Sequence, residues 1–189
     1  MTKIELMNIL EIIKGSLYSM KFPDQEQDEL TILFHNWLDS SYLYDFFYNN
    51  RLDLFGPFFK HESIEQAVEE TLEEAQNLFD KLIIMAKFGK NDPYNKLQKM
   101  FQPLSDSDYK LKVYQKSKVK GNKKRSWLRL YAIRIEANTF VITGGAIKLT
   151  KTMNERNHTN RELQKLTVSR DYLRKMEILF KEDFLILEH

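Results

Sequence analysis

The chain has 189 residues, 42% hydrophobic and 30% charged, with no cysteine and a formal net charge of +2. That size and mixture suit one domain with its own core and argue against disorder. Disulfides and thiolate zinc sites are excluded by the lack of cysteine. No run of eighteen uncharged apolar residues marks a membrane helix, and Met1 to Glu11 lacks the apolar segment of a signal peptide, so a cytoplasmic protein is expected.

The near-neutral total hides a division. Residues 1–109 hold 10 Lys and Arg against 19 Asp and Glu, a charge of −9. Residues 110–156 hold 13 against 2, a charge of +11, and residues 157–189 hold 6 of each. The chain therefore reads as an acidic part (1–109) and a basic part (110–189) of one compact domain. A basic folded surface is the footprint of a phosphate-bearing partner.

Taken in order, residues 3–22 predict a short hairpin turning near Gly15. Asp24 and Gln27 resemble a capping box. Leu30, Leu33, Phe34, Trp37 and Leu38 then recur at helical spacing to about Asp39. Ser40 or Ser41 starts a second helix carrying Tyr42, Leu43, Phe46 and Phe47. The aromatic stripes of both helices read as core. Phe55-Gly56-Pro57-Phe58 breaks the run. Residues 62–87 predict the longest helix, with Ala67, Val68, Ala75, Leu78 and Leu82 on the apolar side. Glu65, Glu69, Glu70, Glu73 and Glu74 are expected on its solvent face, where acids in the early turns complement the macrodipole. Residues 93–108 read as a short helix and a loop.

Three strands follow. In residues 110–120, Lys110, Lys112, Tyr114, Lys116, Lys118 and Lys120 share one strand face, with the alternate residues Leu111 to Val119 on the other. Like residues recur about 6.6 Å apart, close to the spacing of phosphates along an extended single strand. Gly121-Asn122 with Lys123, Lys124 and Arg125 makes a basic loop. Trp127 to Ile135 forms the second strand, Ala137-Asn138 a tight turn, and Thr139 to Lys148 the third. The third is nearly all apolar and is expected to be central, with Gly144-Gly145 marking a bulge or close approach. Thr159 to Lys175 predicts a helix. Residues 178–187 form an apolar tail that adds a strand or docks on the core. The fold class is α+β: a small antiparallel sheet packed against N-terminal helices, with a C-terminal helix.

Residues 128–151, LRLYAIRIEANTFVITGGAIKLTK, resemble the core of RelE/HigB-type toxins of type II toxin–antitoxin systems. The resemblance lies in an RLYAI strand, a short turn, and an FVI strand with a following glycine and lysines. Arg161-Glu162-Leu163-Gln164-Lys165-Leu166 is similar to the helical element after it. The resemblance spans residues 110–166 and reaches residues 1–109 only through element order. It implies a RelE-like sheet and an mRNA endoribonuclease, acting free or in the ribosome and neutralised by a cognate antitoxin such as a helix-turn-helix protein. It implies catalytic roles for Lys116, Lys118, Lys120, Arg129, Lys148 and Lys151. Lys112, Tyr114, Lys123, Lys124, Arg125, Tyr131 and Arg134 are the expected RNA contacts. No tyrosine or histidine directly follows Lys151; His158 is the nearest.

Those residue types suit cleavage by a 2′-hydroxyl on its adjacent phosphate, which needs a base, an acid and positive charge at the phosphate oxygens. A lysine crowded by cations loses its proton more readily, and Lys116 or Lys118 is the expected base. Arg129 and Lys148 would stabilise the pentavalent phosphorus. The chemistry calls for no cofactor, and His35, His61, His158 and His189 show no metal spacing. Two other functions use the same surface: a nucleic-acid-binding module without catalysis, and an interaction protein docking an acidic partner chain.

Overall fold

A computed structural model of the chain describes residues 7–89, 91–92, 96–104, 113–121 and 125–188. Its fold is α+β: one six-stranded sheet with helices on both faces. The hairpin at the start forms from β1 (Asn8–Ile13) and β2 (Leu17–Lys21), and Gly15 turns it at a φ of 67°. That left-handed conformation suits a residue without a Cβ.

Helix α1 (Glu29–Trp37) begins later than the sequence suggests, because Asp28 rather than Asp24 caps it. Asp28 Oδ1 accepts the N–H groups of Leu30 at 3.0 Å and Thr31 at 3.2 Å. Gln25, inside the expected first turn, bends back to take the Phe22 N–H at 3.0 Å and closes a turn instead. Asp39, not Ser40 or Ser41, caps α2 (Ser40–Asn49). The short α3 (Arg51–Leu54) precedes the break at Gly56. Ser63 then caps α4 (Ile64–Phe88). One expectation fails on α4: Glu74 is buried, not solvent-facing. It packs beside Gly121 and Ser126, which a linear view of the helix does not reveal. Helix α5 (Leu97–Met100) leads into a two-residue strand, β3 (Gln102–Pro103).

The antiparallel strands β4 (Gln115–Lys120), β5 (Leu128–Glu136) and β6 (Thr139–Ile147) follow in the expected order. Asn138, at a φ of 58°, turns β5 into β6, and the register slips by one residue opposite Gly144. The sheet is larger than expected. Its order is β1-β2-β6-β5-β4-β3, with β2 and β6 parallel and the other pairs antiparallel. The acidic and basic parts of the chain therefore share one sheet. Apolar β6 lies inside it, as a strand covered on both faces should.

Two cores result. Leu128, Leu130, Ala132, Phe140 and Ile142 pack under α1, α2 and α4, around Trp37, Phe47, Leu78 and Leu82. On the other face Tyr131, Ile133, Ile135 and Val141 pack against Leu166, Tyr172 and Leu173 of α6 (Asn157–Lys175). The apolar tail docks: residues Lys181–Glu188 form a 3-10 helix whose Phe184 ring stacks on Tyr18 at 3.8 Å. Burying each such large side chain contributes roughly 1.5–3 kcal/mol. Among the described residues, no helix is long and apolar enough to cross a membrane.

Candidate nucleic-acid interface

Strand alternation divides β4 as the sequence predicts. Gln115, Ser117 and Val119 are buried, while Lys116, Lys118 and Lys120 take the opposite face. Across the ladder those lysines meet Ile133, Tyr131 and Arg129. This is also the face that α6 covers, so the lysines do not stand in an open row. Lys116 is half-buried and donates from Nζ to Thr167 Oγ1 of α6 at 2.8 Å. Burial, then the nearby Arg170 charge, lowers its pKa. Lys118 Nζ donates to the Leu104 carbonyl at 3.1 Å, and of the three only Lys120 is exposed. Of the two expected bases, Lys116 lies beneath the helix beside Arg170 and Arg174, apart from Arg129 and Lys148, whereas Lys118 stays near that pair. Lys110, Lys112, Lys123 and Lys124 lie outside the described residues.

A tighter cluster forms at the far end of the ladder. Arg129 Nη1 donates to the carbonyls of Ser126 at 2.8 Å and Leu128 at 2.7 Å, which fixes its guanidinium plane. Burial depresses the Arg129 pKa, with the Glu74 carboxylate among the groups that oppose the fall. An arginine stays charged even so. Lys148, just past β6, donates to the Lys151 carbonyl at 2.6 Å. Its pKa is lowered first by burial and then by the charge of Arg129; Lys118 and Lys120 push the same way, and Glu155 opposes. Glu155 is held by Thr152, whose N–H and hydroxyl donate to it at 2.5 and 2.8 Å, and this keeps its carboxyl below the usual range. Lys151 contributes its backbone here, and its side chain is exposed.

Next to the cluster opens a cleft of about 450 Å³, lined by Phe58, Phe59, Lys60, Lys120, Arg125, Ser126 and Arg129. Phe58, Phe59 and Lys60 are residues that sequence reasoning passed over. They sit in the loop after α3, where Lys60 adopts a φ of 54° and the Phe59 ring packs on Trp127 at 5.4 Å. Phe58 remains half-exposed.

Three expected contacts are placed elsewhere. Tyr131 is 1% exposed and its hydroxyl donates to Met153 Sδ at 2.9 Å, so it belongs to the core under α6. Burial pushes its phenol pKa further up. Arg134 is on the opposite face, between Gln115 and Phe140. Tyr114 sits under the Arg174 guanidinium, 5.5 Å from ring centroid to carbon. The structure therefore gathers Lys118, Lys120, Arg125, Arg129 and Lys148, and leaves Lys116, Tyr114, Tyr131 and Arg134 outside the group. Comparison of the chain with family models, curated proteins and solved structures yields no match.

Proposed function

We propose that the cluster of Lys118, Lys120, Arg129 and Lys148, with the adjoining cleft, binds the phosphate backbone of RNA. The observation that carries this is the convergence of cationic side chains from β4, β5 and the end of β6 on one end of one sheet face. Cationic groups held this close repel one another, and phosphates relieve that repulsion by releasing their own counterions. Phe58 at the cleft rim offers a ring for base stacking, which favours single-stranded RNA over a small anion. An RNA target suits a cytoplasmic protein. The RelE/HigB resemblance adds the proposal that RNA is cut, that the ribosome is one setting, and that an antitoxin covers this face.

The test is fluorescence anisotropy with a labelled single-stranded RNA across a salt series. Wild type is expected to bind with a steep salt slope. Arg129→Gln and Lys148→Gln should each weaken binding and reduce the slope by about one, while Arg134→Gln should leave both unchanged. Salt-independent binding, or wild-type behaviour in both cluster variants, overturns the proposal.

Cleavage is favoured by the placement of Lys148: it is half-buried beside Arg129, Lys118 and Lys120, and burial first, then their charge, disfavours its ammonium form. Lys148 thus becomes the preferred base in place of Lys116 or Lys118. RNA cut to a 2′,3′-cyclic phosphate end, and left intact when the attacking ribose is 2′-deoxy, supports this. Binding without cutting, with and without ribosomes, leaves a module that only binds RNA.

A further inference from the structure

A second cluster lies along the C-terminal end of β6, whose Gly145, Ala146 and Ile147 line it. Strands β2 and β6 are adjacent and parallel, and the chain leaves them in opposite directions. From β2 it runs to α1 on one face; from β6 it runs to α6 on the other. Such a divergence opens a crevice at the carboxyl ends of the strands, the place where open sheets hold ligands. Here the crevice is a cavity of about 180 Å³. At about 30 Å³ per water in the liquid, it holds roughly six waters' worth of ligand.

Its charged groups converge. Lys165 Nζ of α6 reaches Glu29 Oε2 of α1 at 2.9 Å and Glu162 Oε1 at 3.0 Å. Both carboxylates are buried: Glu29 is 3% exposed and Glu162 is 7% exposed. Glu29 Oε1 also accepts from Gln25 Nε2 at 2.6 Å, whereas Glu162 Oε2 is met only by the backbone at Gly144 and Gly145 and makes no well-formed hydrogen bond to a side chain. Gly144 makes the approach of the two acids possible, since a Cβ there would lie 2.0 Å from Glu162 Oε2 and 3.1 Å from Glu29 Oε2. The remaining polar wall comes from Tyr42 of α2, Asn36 of α1 and His158 of α6. The His158 Nε2 lies 3.1 Å from the Ile147 carbonyl, and its ring meets Phe46 edge-on at 5.5 Å. β6 supplies Gly145, Ala146 and Ile147, with no ionisable side chain.

Two buried carboxylates share one lysine, so when both are ionised one negative charge is left uncompensated, a costly arrangement unless something fills it. We propose that this crevice binds an organic cation, a guanidinium or primary ammonium group, which donates hydrogen bonds to Glu162 Oε2 and lies against the rings of Trp37, Tyr42 and Phe46. Aromatic faces attract such cations. A metal ion fits less well: no group of three His, Cys, Asp or Glu side chains among the described residues could hold one. The empty-site alternative to a cation is a proton on Glu162, whose carboxyl is pushed up to about 7 by burial, with Lys165 opposing and Glu29 adding to the rise.

The experiment is an NMR titration of the full chain, labelled with 13C at glutamate carboxyls and 15N at backbone amides. Methylguanidinium chloride is the probe and sodium chloride at equal ionic strength the control. Saturable shifts at the Gly145 amide and the Glu162 carboxyl, with the Glu162 pKa falling by about one unit at saturation, are expected. Glu162→Gln should weaken the binding at least tenfold. Agmatine and a blocked arginine amide, titrated in parallel, distinguish a free amine from a peptide side chain. Shifts that grow linearly and match those from sodium chloride overturn the proposal, as does an unmoved Glu162 pKa. The wild-type titration stands by itself should Glu162→Gln fail to fold.

Discussion

Replacing Glu162 by Gln tests the buried cluster through stability alone. In the folded chain the Glu162 carboxyl titrates at about 7, against an ordinary 4.5, and burial is the main cause. The folded state therefore holds this proton more tightly than the unfolded state. Its stabilising effect is complete below about pH 4.5 and is lost as the pH rises through 7. At 1.36 kcal/mol for each pH unit, the interval from 4.5 to 7 corresponds to about 3 kcal/mol. Glutamine keeps the shape and does not titrate. Urea unfolding of wild type and Glu162→Gln, measured from pH 4 to 8, isolates the effect because every other carboxylate is common to both. The wild-type stability minus that of the variant should fall with pH at up to about 1.4 kcal/mol per unit, then level off above pH 7. A difference that stays constant or rises over this range refutes the reasoning.

Other substitutions probe what holds the sheet and helices in place. Asp28→Ala removes an acceptor of two backbone N–H groups and of the Thr31 hydroxyl, and should cost about 1–2 kcal/mol in urea unfolding, with Asp28→Asn recovering most of it. Phe47→Ala opens a cavity beneath Trp127, whose ring it meets edge-on at 5.4 Å, and should cost about 3–5 kcal/mol by the same measurement. Gly144→Ala places a Cβ on Glu162 Oε2 at a backbone φ of 147°, and should lower thermal stability even when combined with Glu162→Gln, which leaves the backbone strain in place.

Much of the fold was legible because it rests on local chemistry. The alternation of Gln115, Ser117 and Val119 with lysines marks β4. The apolar run of β6 marks a covered strand, and the turn at Asn138 and the stripe of α4 were equally plain. The parallel pairing of β2 with β6 was not legible, since it joins segments more than a hundred residues apart and leaves no short-range signal. The basic site was half legible. Periodicity put Lys116, Lys118 and Lys120 on one face, but nothing in that spacing says that α6 packs over the same face and claims Lys116 through Thr167. Glu29, Glu74 and Glu162 were missed for a common reason. Acids at helical positions are usually solvated, and only the neighbouring Gly121, Gly144 and Lys165 make room or charge for them inside. The glycines at 144 and 145, noted from sequence as a site of close approach, were the one available hint of the second cluster.

The claim that RNA phosphates sit at the basic end of the sheet is tested most directly by the side-chain Nε–H signals of arginine during an RNA titration. The Arg129 and Arg125 signals should shift and saturate together while Arg134, on the opposite face, stays still. Movement of Arg134 with Arg129 and Arg125 unmoved, or no saturable movement at all, contradicts the account.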